Sequence, residues 1–534
     1  MNVETAHHQV LLTLRILIPE LILVAAALGM ITAAPFARLP RRTWCTIAAG
    51  ALAAALLALL AVGSSRTDLY VAAALNDALG FYGRLVVLLS GLVVLGLAHE
   101  EPAADRAAEF FGSLLLINTG AMLVTTANEI VLMFVGLELV SMPTYLLLYL
   151  SRRDLTTQET ATKYFYLSIF SSGLLLYGLA FLYGLTGVSH LKAIAALSWH
   201  LPSTPNANLA LLAVLFILAG LCFRVAAVPF HFYAPDVYQG SPTVIAALLS
   251  WVPKAIGFVA IVRVLTSIIA VKGPDDYLVQ KATWIAWIVA AASMTLGNTV
   301  ALLQTDLKRL LAYSSISHAG YLMIGVTAAF ANGNRPVALY YGSESIFFYL
   351  VAYALMTLGA FGVILALKTK DRPVETIDDL AGLGATLPWP ALALTICLLS
   401  LAGIPPLAGF WGKLQIFAAA LAASPEGATG PFLLLVVIGV LNAAAGAYYY
   451  LRIVVNMYLR PSRQAVTPGG GWPVAVAVGA CASLSLLIGL FPAPISRASR
   501  AAAEAAIQFR PAQTAESNPP AAALLFSDAP GRHE

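Results

Sequence analysis

Apolar stretches of roughly 20 residues, the length that spans a hydrocarbon core, recur from Ile16 to Phe491 with little else between them. A chain built this way has too few polar side chains to cover itself against water. Of its 534 residues 60% are apolar and only 10% charged, whereas an ordinary soluble domain is about a quarter charged. Mean hydropathy is +0.83. The fold class that follows is an all-α polytopic membrane protein. The net charge of +4 is small for this length, and Lys and Arg fall mainly in short loops, not on a basic face with interleaved aromatics. The lipid bilayer is therefore the medium, and nucleic acid is not an indicated partner.

Runs bounded by charges, Pro or Gly predict helices near 14–34, 43–62, 79–98, 109–126, 130–150, 160–186 and 207–233. Seven more follow near 242–271, 281–304, 308–331, 338–367, 388–422, 430–459 and 472–491, about fourteen transmembrane helices in all. The first run carries Pro19 and Glu20 near its start and no small-residue cleavage site after a basic segment, so it reads as a retained span. Alternate loops differ in basic residues. One set holds Arg38, Arg41, Arg42, Arg106, Arg152, Arg153, Lys308, Arg309, Lys368, Lys370, Arg372, Arg460 and Arg463; the other holds Arg66, Lys192, Lys272, Lys281 and Arg335. By the positive-inside rule the first set faces the cytoplasm, which with an even helix count puts both termini on the periplasmic side of a bacterial inner membrane. The tail from 497 to 534 is rich in Ala, Pro and Ser and reads as disordered.

Cys45, Cys222, Cys397 and Cys481 lie far apart inside apolar runs, without iron-sulfur or zinc spacing. The Gly clusters at 382–384 and 469–471 sit in loops beside prolines and do not form a dinucleotide fingerprint. The expectation is a chain with no redox cofactor of its own.

Two runs are too long and are interrupted by proline. The seventh is broken at Arg224-Val-Ala-Ala-Val-Pro229-Phe-His231, the twelfth at Gly403-Ile-Pro405-Pro406-Leu-Ala-Gly409. Proline frees backbone carbonyls, which membrane-embedded segments tolerate only where protein or a water-filled cavity satisfies them. Each break also has a basic residue beside it, Arg224 and Lys413. Broken helices five segments apart suggest an internal repeat with inverted halves, helices 4–8 and 9–13. Plain kinks remain the alternative. The organisation read from this is 1–108 (helices 1–3), 109–271 (first five-helix repeat), 272–459 (second repeat), 460–496 (helix 14) and the 497–534 tail.

A charge at a helix centre costs about 2.5–3.5 kcal/mol on insertion scales, so each one needs a reason. Glu138, Arg224, Lys254 and Lys413 fall at such depth; Lys163, His318 and Glu344 lie nearer helix ends or in less certain register. Desolvation and a neighbouring opposite charge push a buried Lys or Glu in opposite directions, so either group can exchange a proton when its partner moves. Arginine cannot, because its guanidinium keeps its proton. Structural alternatives stay open at each position: a static Glu138–Arg224 staple, snorkelling by Lys163, a neutral packing His318, and either role for Glu344.

At these residues the chain resembles the antiporter-like membrane subunits of respiratory complex I, the NADH:quinone oxidoreductase NDH-1. The stretch Val228-Pro-Phe-His231-Phe-Tyr-Ala-Pro235-Asp236-Val-Tyr-Gln-Gly240-Ser-Pro242-Thr, followed by Lys254, carries most of the likeness. The Asp-Val-Tyr-Gln-Gly form is similar to the subunit N branch and unlike the L and M branches. Leu307-Lys308-Arg309 through Ser315, His318 and Tyr321, the segment Gly403 to Lys413, and the early Leu17-Ile-Pro19-Glu20-Leu fit as well. The resemblance covers helices 1–14. It implies two inverted five-helix repeats with helices 7 and 12 broken, and a proton path through Glu138, the basic position of helix 7, Lys254 and Lys413, with His318 linking the halves. Lys163, His231 and Glu344 are further candidates for that path or for its charge partners. It also implies a non-redox, proton-pumping translocase subunit, with NADH, FMN, iron-sulfur clusters and quinone (ubiquinone among the candidates) held by other subunits. Neighbours would be the adjacent subunit M and the small subunits K and J. One departure matters: the helix-7 position, usually Lys, is Arg224 here. The alternative function is the related subunit of a multi-subunit Na+/H+ antiporter or of a membrane-bound hydrogenase.

Overall fold

The computed structural model describes residues 13–64, 72–151, 155–198, 206–269, 276–331, 336–370, 372–423, 429–462 and 465–507, together with Leu11. Helices fill the apolar runs almost end to end, beginning with Ile18–Ala33, Arg41–Val62, Ala78–Ala98, Ala107–Thr126, Ile130–Ser151, Leu155–Thr186 and Asn206–Arg224. After the short Ala234–Gly240 come Thr243–Ala260, Tyr277–Ala301, Leu307–Ala331, Pro336–Leu365, Pro388–Ala402, Ala408–Ala422, Thr429–Leu459 and Gly471–Leu490. Ten helices among the described residues are long and apolar enough, by length and composition, to cross a membrane. Three shorter apolar helices, Ile18–Ala33, Asn208–Arg224 and Pro388–Ala402, accompany them. Leu57, Tyr166, Leu441 and Leu487 point outward and exposed, as they can where the surroundings are hydrocarbon.

The helix at the centre is Thr243–Ala260, extended by a π turn over Ile261–Leu265; its apolar window is buried along its whole length. It packs against Ala107–Thr126, Asn206–Arg224, Leu307–Ala331 and Pro336–Leu365, so any charge it carries is held inside protein. Helix starts are set locally: Asp77 accepts a hydrogen bond from the Gly80 N–H at 2.6 Å and Asp276 from Leu278 at 2.8 Å, satisfying otherwise orphaned first-turn donors. Close hairpins rest on glycine. A Cβ at Gly120 would stand 2.7 Å from the Gly136 carbonyl oxygen, so the Ala107–Thr126 and Ile130–Ser151 backbones touch only because neither position has a side chain.

The basic loops tie together along one face. Arg41 donates to the Glu100 carbonyl at 2.9 Å, Arg106 to the Leu150 carbonyl at 2.8 Å and Lys308 to the Gln239 carbonyl at 2.7 Å. On that face Leu367–Thr369 and Val466–Pro468 form an antiparallel two-stranded ribbon with Lys368 opposite Thr467. The other ends of the helices meet at Leu75–Thr126 and Leu191–Asn128 backbone bonds of 2.7 and 2.8 Å. Arg66, Arg152, Arg153, Lys272, Arg335 and Arg463 lie outside the described residues.

One sequence expectation is corrected. The tail does not lose structure at 497, because Ala493–Ile507 is a helix that buries Ser499, Ala502, Ala503 and Ala506 against Ala78–Ala98 and Pro336–Leu365. Alanines on one face pack closely while Arg497, Arg500 and Glu504 take the other, a pattern that composition alone hides; residues 508–534 lie outside the described residues. The seventh run shows the interruption expected at 224–231. It stops at Arg224 and resumes as Ala234–Gly240. A short helix, Leu191–Ser198, and the π turn at Ile261–Leu265 were not expected from the sequence.

Candidate proton-path residues

The first break positions an ion pair. Arg224 ends its helix, Ala226 takes a positive φ of 56° and the Val228–Pro229 bond is cis. The groups freed there find partners: Tyr233 donates its hydroxyl to the Phe223 carbonyl at 3.0 Å, and the Val228 N–H donates to Ser293 Oγ at 2.9 Å. Arg224 thus projects toward Ile130–Ser151, where its Nη2 stands 2.5 Å from Glu138 Oε1. The fork is further engaged by the Leu137 carbonyl at 3.1 Å, by Ser141 Oγ and by Ser172 Oγ at 3.1 Å. Ser172 in turn donates to Glu138 at 2.6 Å. The sequence singled out the two charges; the serines that orient them were not foreseen.

Lys254 is buried in the central helix and its ammonium donates to Ser315 Oγ. Tyr353 donates to the same oxygen at 3.0 Å, and the Tyr238 hydroxyl lies 3.4 Å from it. No carboxylate contacts Lys254 among the described residues. One helical turn along from Ser315, buried His318 has its Nδ1 2.5 Å from the Tyr349 hydroxyl and its Nε2 3.1 Å from the Tyr450 hydroxyl. Its ring also stands 5.2 Å from that of Tyr353 and 5.8 Å from that of Tyr321.

The second break positions Lys413. Pro388–Ala402 ends at Gly403 in a left-handed conformation, φ 86°, and Ala408–Ala422 begins five residues later. The Lys413 ammonium turns back to donate to the Leu401 and Ala402 carbonyls, both at 2.9 Å, and sits 4.9 Å from the centre of the Tyr321 ring. Cations at a helix C-terminus are favoured by the unpaired carbonyls there. A Cβ at Gly403 would stand 2.9 Å from Lys413 Cδ, so the glycine supplies both the turn and the room. Lys254, Ser315, Tyr353, His318, Tyr321 and Lys413 therefore follow one another in contact.

The remaining candidates lie apart from this row. Lys163 is at the surface, paired with Glu159 at 2.7 Å and Asp236 at 3.4 Å, and Asp236 also holds Arg309 at 2.8 Å. Glu344 is buried but faces the C-terminal helix, bonded by Arg500 at 3.0 Å and Ser496 at 3.0 Å. His231 lies within the first break, half-buried, and its Nδ1 has no hydrogen-bond partner among the described residues.

A second buried charge cluster escaped the sequence reading. Arg84 stands 3.6 Å from Glu20 and donates to Asn76, and Arg263 pairs with Asp77 at 2.9 Å while donating to the Thr125 carbonyl. Arg84 and Arg263 both lie inside predicted spans, so the cost of a buried charge was the signal available. Arg263 joins the helix of Lys254 to the amino-terminal helices. Among the described residues no group of three or more His, Cys, Asp or Glu gathers as metal ligands, and Cys222, Cys397 and Cys481 are buried free thiols.

Comparison with known proteins gives these positions a context. The family described as NADH:quinone oxidoreductase/Mrp antiporter, TM, matches residues 127–441. NADH-quinone oxidoreductase subunit N of Trichlorobacter lovleyi is 35% identical over 93% of this chain and 98% of its own. A chain of respiratory complex I from Thermus thermophilus superposes with a TM-score of 0.73 at 32% identity, covering 91% of this chain and all of that one. A chain of the Mrp complex from a Dietzia species shares the fold, with a TM-score of 0.76 at 21% identity.

Proposed function

This chain belongs to the NADH:quinone oxidoreductase/Mrp antiporter family of membrane subunits, and from that premise we propose that its buried lysine and histidine row carries protons through the membrane. It is a non-redox membrane subunit of the complex I family, of the N type, acting in proton translocation. In our reading Lys254 and Lys413 are the carriers, His318 links them, and Glu138 with Arg224 biases the charge at one end. The observation that carries this is the surroundings of Lys254 and His318: two titratable groups sealed in protein whose polar contacts are all hydroxyls, groups able to accept and donate a proton.

The finer architecture belongs to the same proposal. We read fourteen spans as three amino-terminal helices, inverted repeats 109–271 and 272–459 and a final helix, with both termini periplasmic. Subunits of the M, K and J types would be the neighbours. Support for the repeat comes from the matched breaks at Arg224 and Gly403, each followed or preceded by a cation on the broken helix. Lys163, His231 and Glu344 stand outside the row, and we assign Lys163 and Glu344 to charge partners of Asp236 and Arg500.

Replacement in the assembled complex tests the carriers. Lys254→Ala and Lys413→Ala should slow NADH:quinone turnover coupled to proton uptake, and Lys254→Arg should fail although it keeps the charge, because arginine does not release its proton. Full pumping by Lys254→Arg would remove Lys254 from the path.

A further inference from the structure

Between Lys254 and His318 the helices Leu307–Ala331 and Pro336–Leu365 face one another as consecutive partners, and their side chains interlock by hydroxyls. Ser315 and His318 are three residues apart on one helix; Tyr353 and Tyr349 are four apart on the other. Each pair shares a face of its helix. The rungs are Tyr353 on Ser315 at 3.0 Å and Tyr349 on His318 Nδ1 at 2.5 Å. All four residues are buried.

Close packing keeps the rungs in line. A Cβ at Gly412, next to Lys413, would lie 2.2 Å from Tyr349 Cδ2, so the Tyr349 ring fills the place of that missing side chain. Tyr353 is held between Lys254, whose ammonium stands 5.5 Å from its ring centre, and the His318 ring. Tyr450 closes the far side of His318 and bonds Ser314. A hydroxyl packed among apolar rings usually serves to satisfy one neighbour. Here each hydroxyl touches a titratable group or the next hydroxyl's partner.

We propose that Ser315, Tyr353 and Tyr349 form a hydroxyl ladder that passes protons between Lys254 and His318. This rests on the reading of Lys254 and His318 as proton carriers given above. In one transfer Lys254 Nζ loses an N–H bond and His318 Nδ1 gains one. The Tyr353 hydroxyl, which donates to Ser315 at rest, must first turn away so that Ser315 can donate to it; each hydroxyl then forms one O–H bond for the one it gives up, and no charge is left on the ladder. The interval from Tyr353 to Tyr349 is one helical turn, ~6 Å between Cβ atoms, and in the proposal a single water bridges the two phenols. Tyr450 and Ser314 are positioning residues that fix the imidazole.

The test uses the assembled complex in proteoliposomes, with NADH:quinone turnover and proton uptake read together. Tyr349→Phe and Tyr353→Phe keep the rings and remove only the hydroxyls, and each should lower proton-coupled turnover several-fold, toward the level of Lys254→Ala. Ser315→Ala should do the same, whereas Ser315→Thr, which restores the hydroxyl, should recover most activity; a purely structural serine would not show that split. The surviving activity should have a larger solvent deuterium effect in the Phe variants. If both Phe variants assemble and pump like wild type while Lys254→Ala does not, the ladder is wrong and the carrier reading stands. If Lys254→Ala itself pumps normally, the premise and the ladder fall together.

Discussion

Arg224 offers a quantitative test, because its guanidinium satisfies four groups at once. Replacing it with Ala leaves Glu138 with Ser172 as its one hydrogen-bond donor among the described residues and strips a donor from the Leu137 carbonyl and Ser141. Breaking a buried pair from one side costs about 3–5 kcal/mol. Arg224→Lys keeps a charge that can still reach Glu138 but loses the fork. If two of the four charge-assisted hydrogen bonds disappear at about 1.5 kcal/mol each, the loss should be about 3 kcal/mol, the low end of the range for Ala. Removing the carboxylate charge as well, in Arg224→Ala with Glu138→Gln, should recover part of the deficit, with a coupling of about 1–3 kcal/mol. Reversible unfolding of the detergent-solubilised chain measures the cycle, and proton uptake by the assembled complex measures function. Arg224→Lys should retain much of the pumping, since the role assigned to Arg224 is a standing charge and not a proton donor. Additive losses in the double variant, or equal pumping loss in the Lys and Ala variants, would refute the reasoning.

Gly403→Ala should destabilise the second break, because a left-handed alanine costs about 1–2 kcal/mol and its Cβ would press on the Lys413 stem; wild-type melting and pumping would show that neither contact matters. In the loop after the ribbon, burial alone would raise the Asp379 carboxyl, but Arg372 at 2.8 and 2.9 Å and the Thr376 and Glu375 N–H groups outweigh it and hold it at about 2. A lowered value means the loop's stabilisation is whole above the unfolded value, about 3.9, and is lost as pH falls through about 2. Amide exchange at Glu375 and Thr376 should therefore stay protected from neutral pH to about 4 and rise below it, while Asp379→Asn should expose both amides already at neutral pH. A reporter fused after Lys370 should register cytoplasm and one at Lys192 periplasm; a cytoplasmic Lys192 would overturn the helix count.

The helical runs and both breaks were legible because the bilayer imposes one length and one penalty, and prolines beside buried cations stand out against them. Arg224 and Lys413 were visible for the same reason. What the sequence hid was partnership. Glu344 meets Arg500 across 156 positions, and the helix carrying Arg500 looked like a tail because its packing face is made of alanine. Tyr349, Tyr353 and Tyr450 drew no notice, since a tyrosine in an apolar run is ordinary until its hydroxyl is found against a histidine or a serine. Lys163 lay near the start of its apolar run with snorkelling left open, and because the helix starts at Leu155 the lysine reaches acidic partners at the surface.

The three buried cations of the proposed path, Arg224, Lys413 and Lys254, are compensated in three different ways, and the difference bears on what each can do. Arg224 has a carboxylate and a set of oxygen acceptors around a group that keeps its proton, so it contributes a constant charge whose effect depends on its distance from Glu138. Lys413 is braced by two carbonyls at the end of a broken helix, and those carbonyls are free only because Gly403 stops the helix there; any movement of the break changes the support of that ammonium directly. Lys254 has a hydroxyl and an aromatic face, the weakest compensation of the three. A displacement of the Glu138–Arg224 pair thus acts on Lys254 with little local charge to oppose it, because the helices that hold the pair pack against the helix that holds the lysine. In the proposed path the broken helices serve two ends of one system: the first aims a fixed charge, the second supplies an ammonium whose support moves with the break, and Lys254 with His318 lies between them.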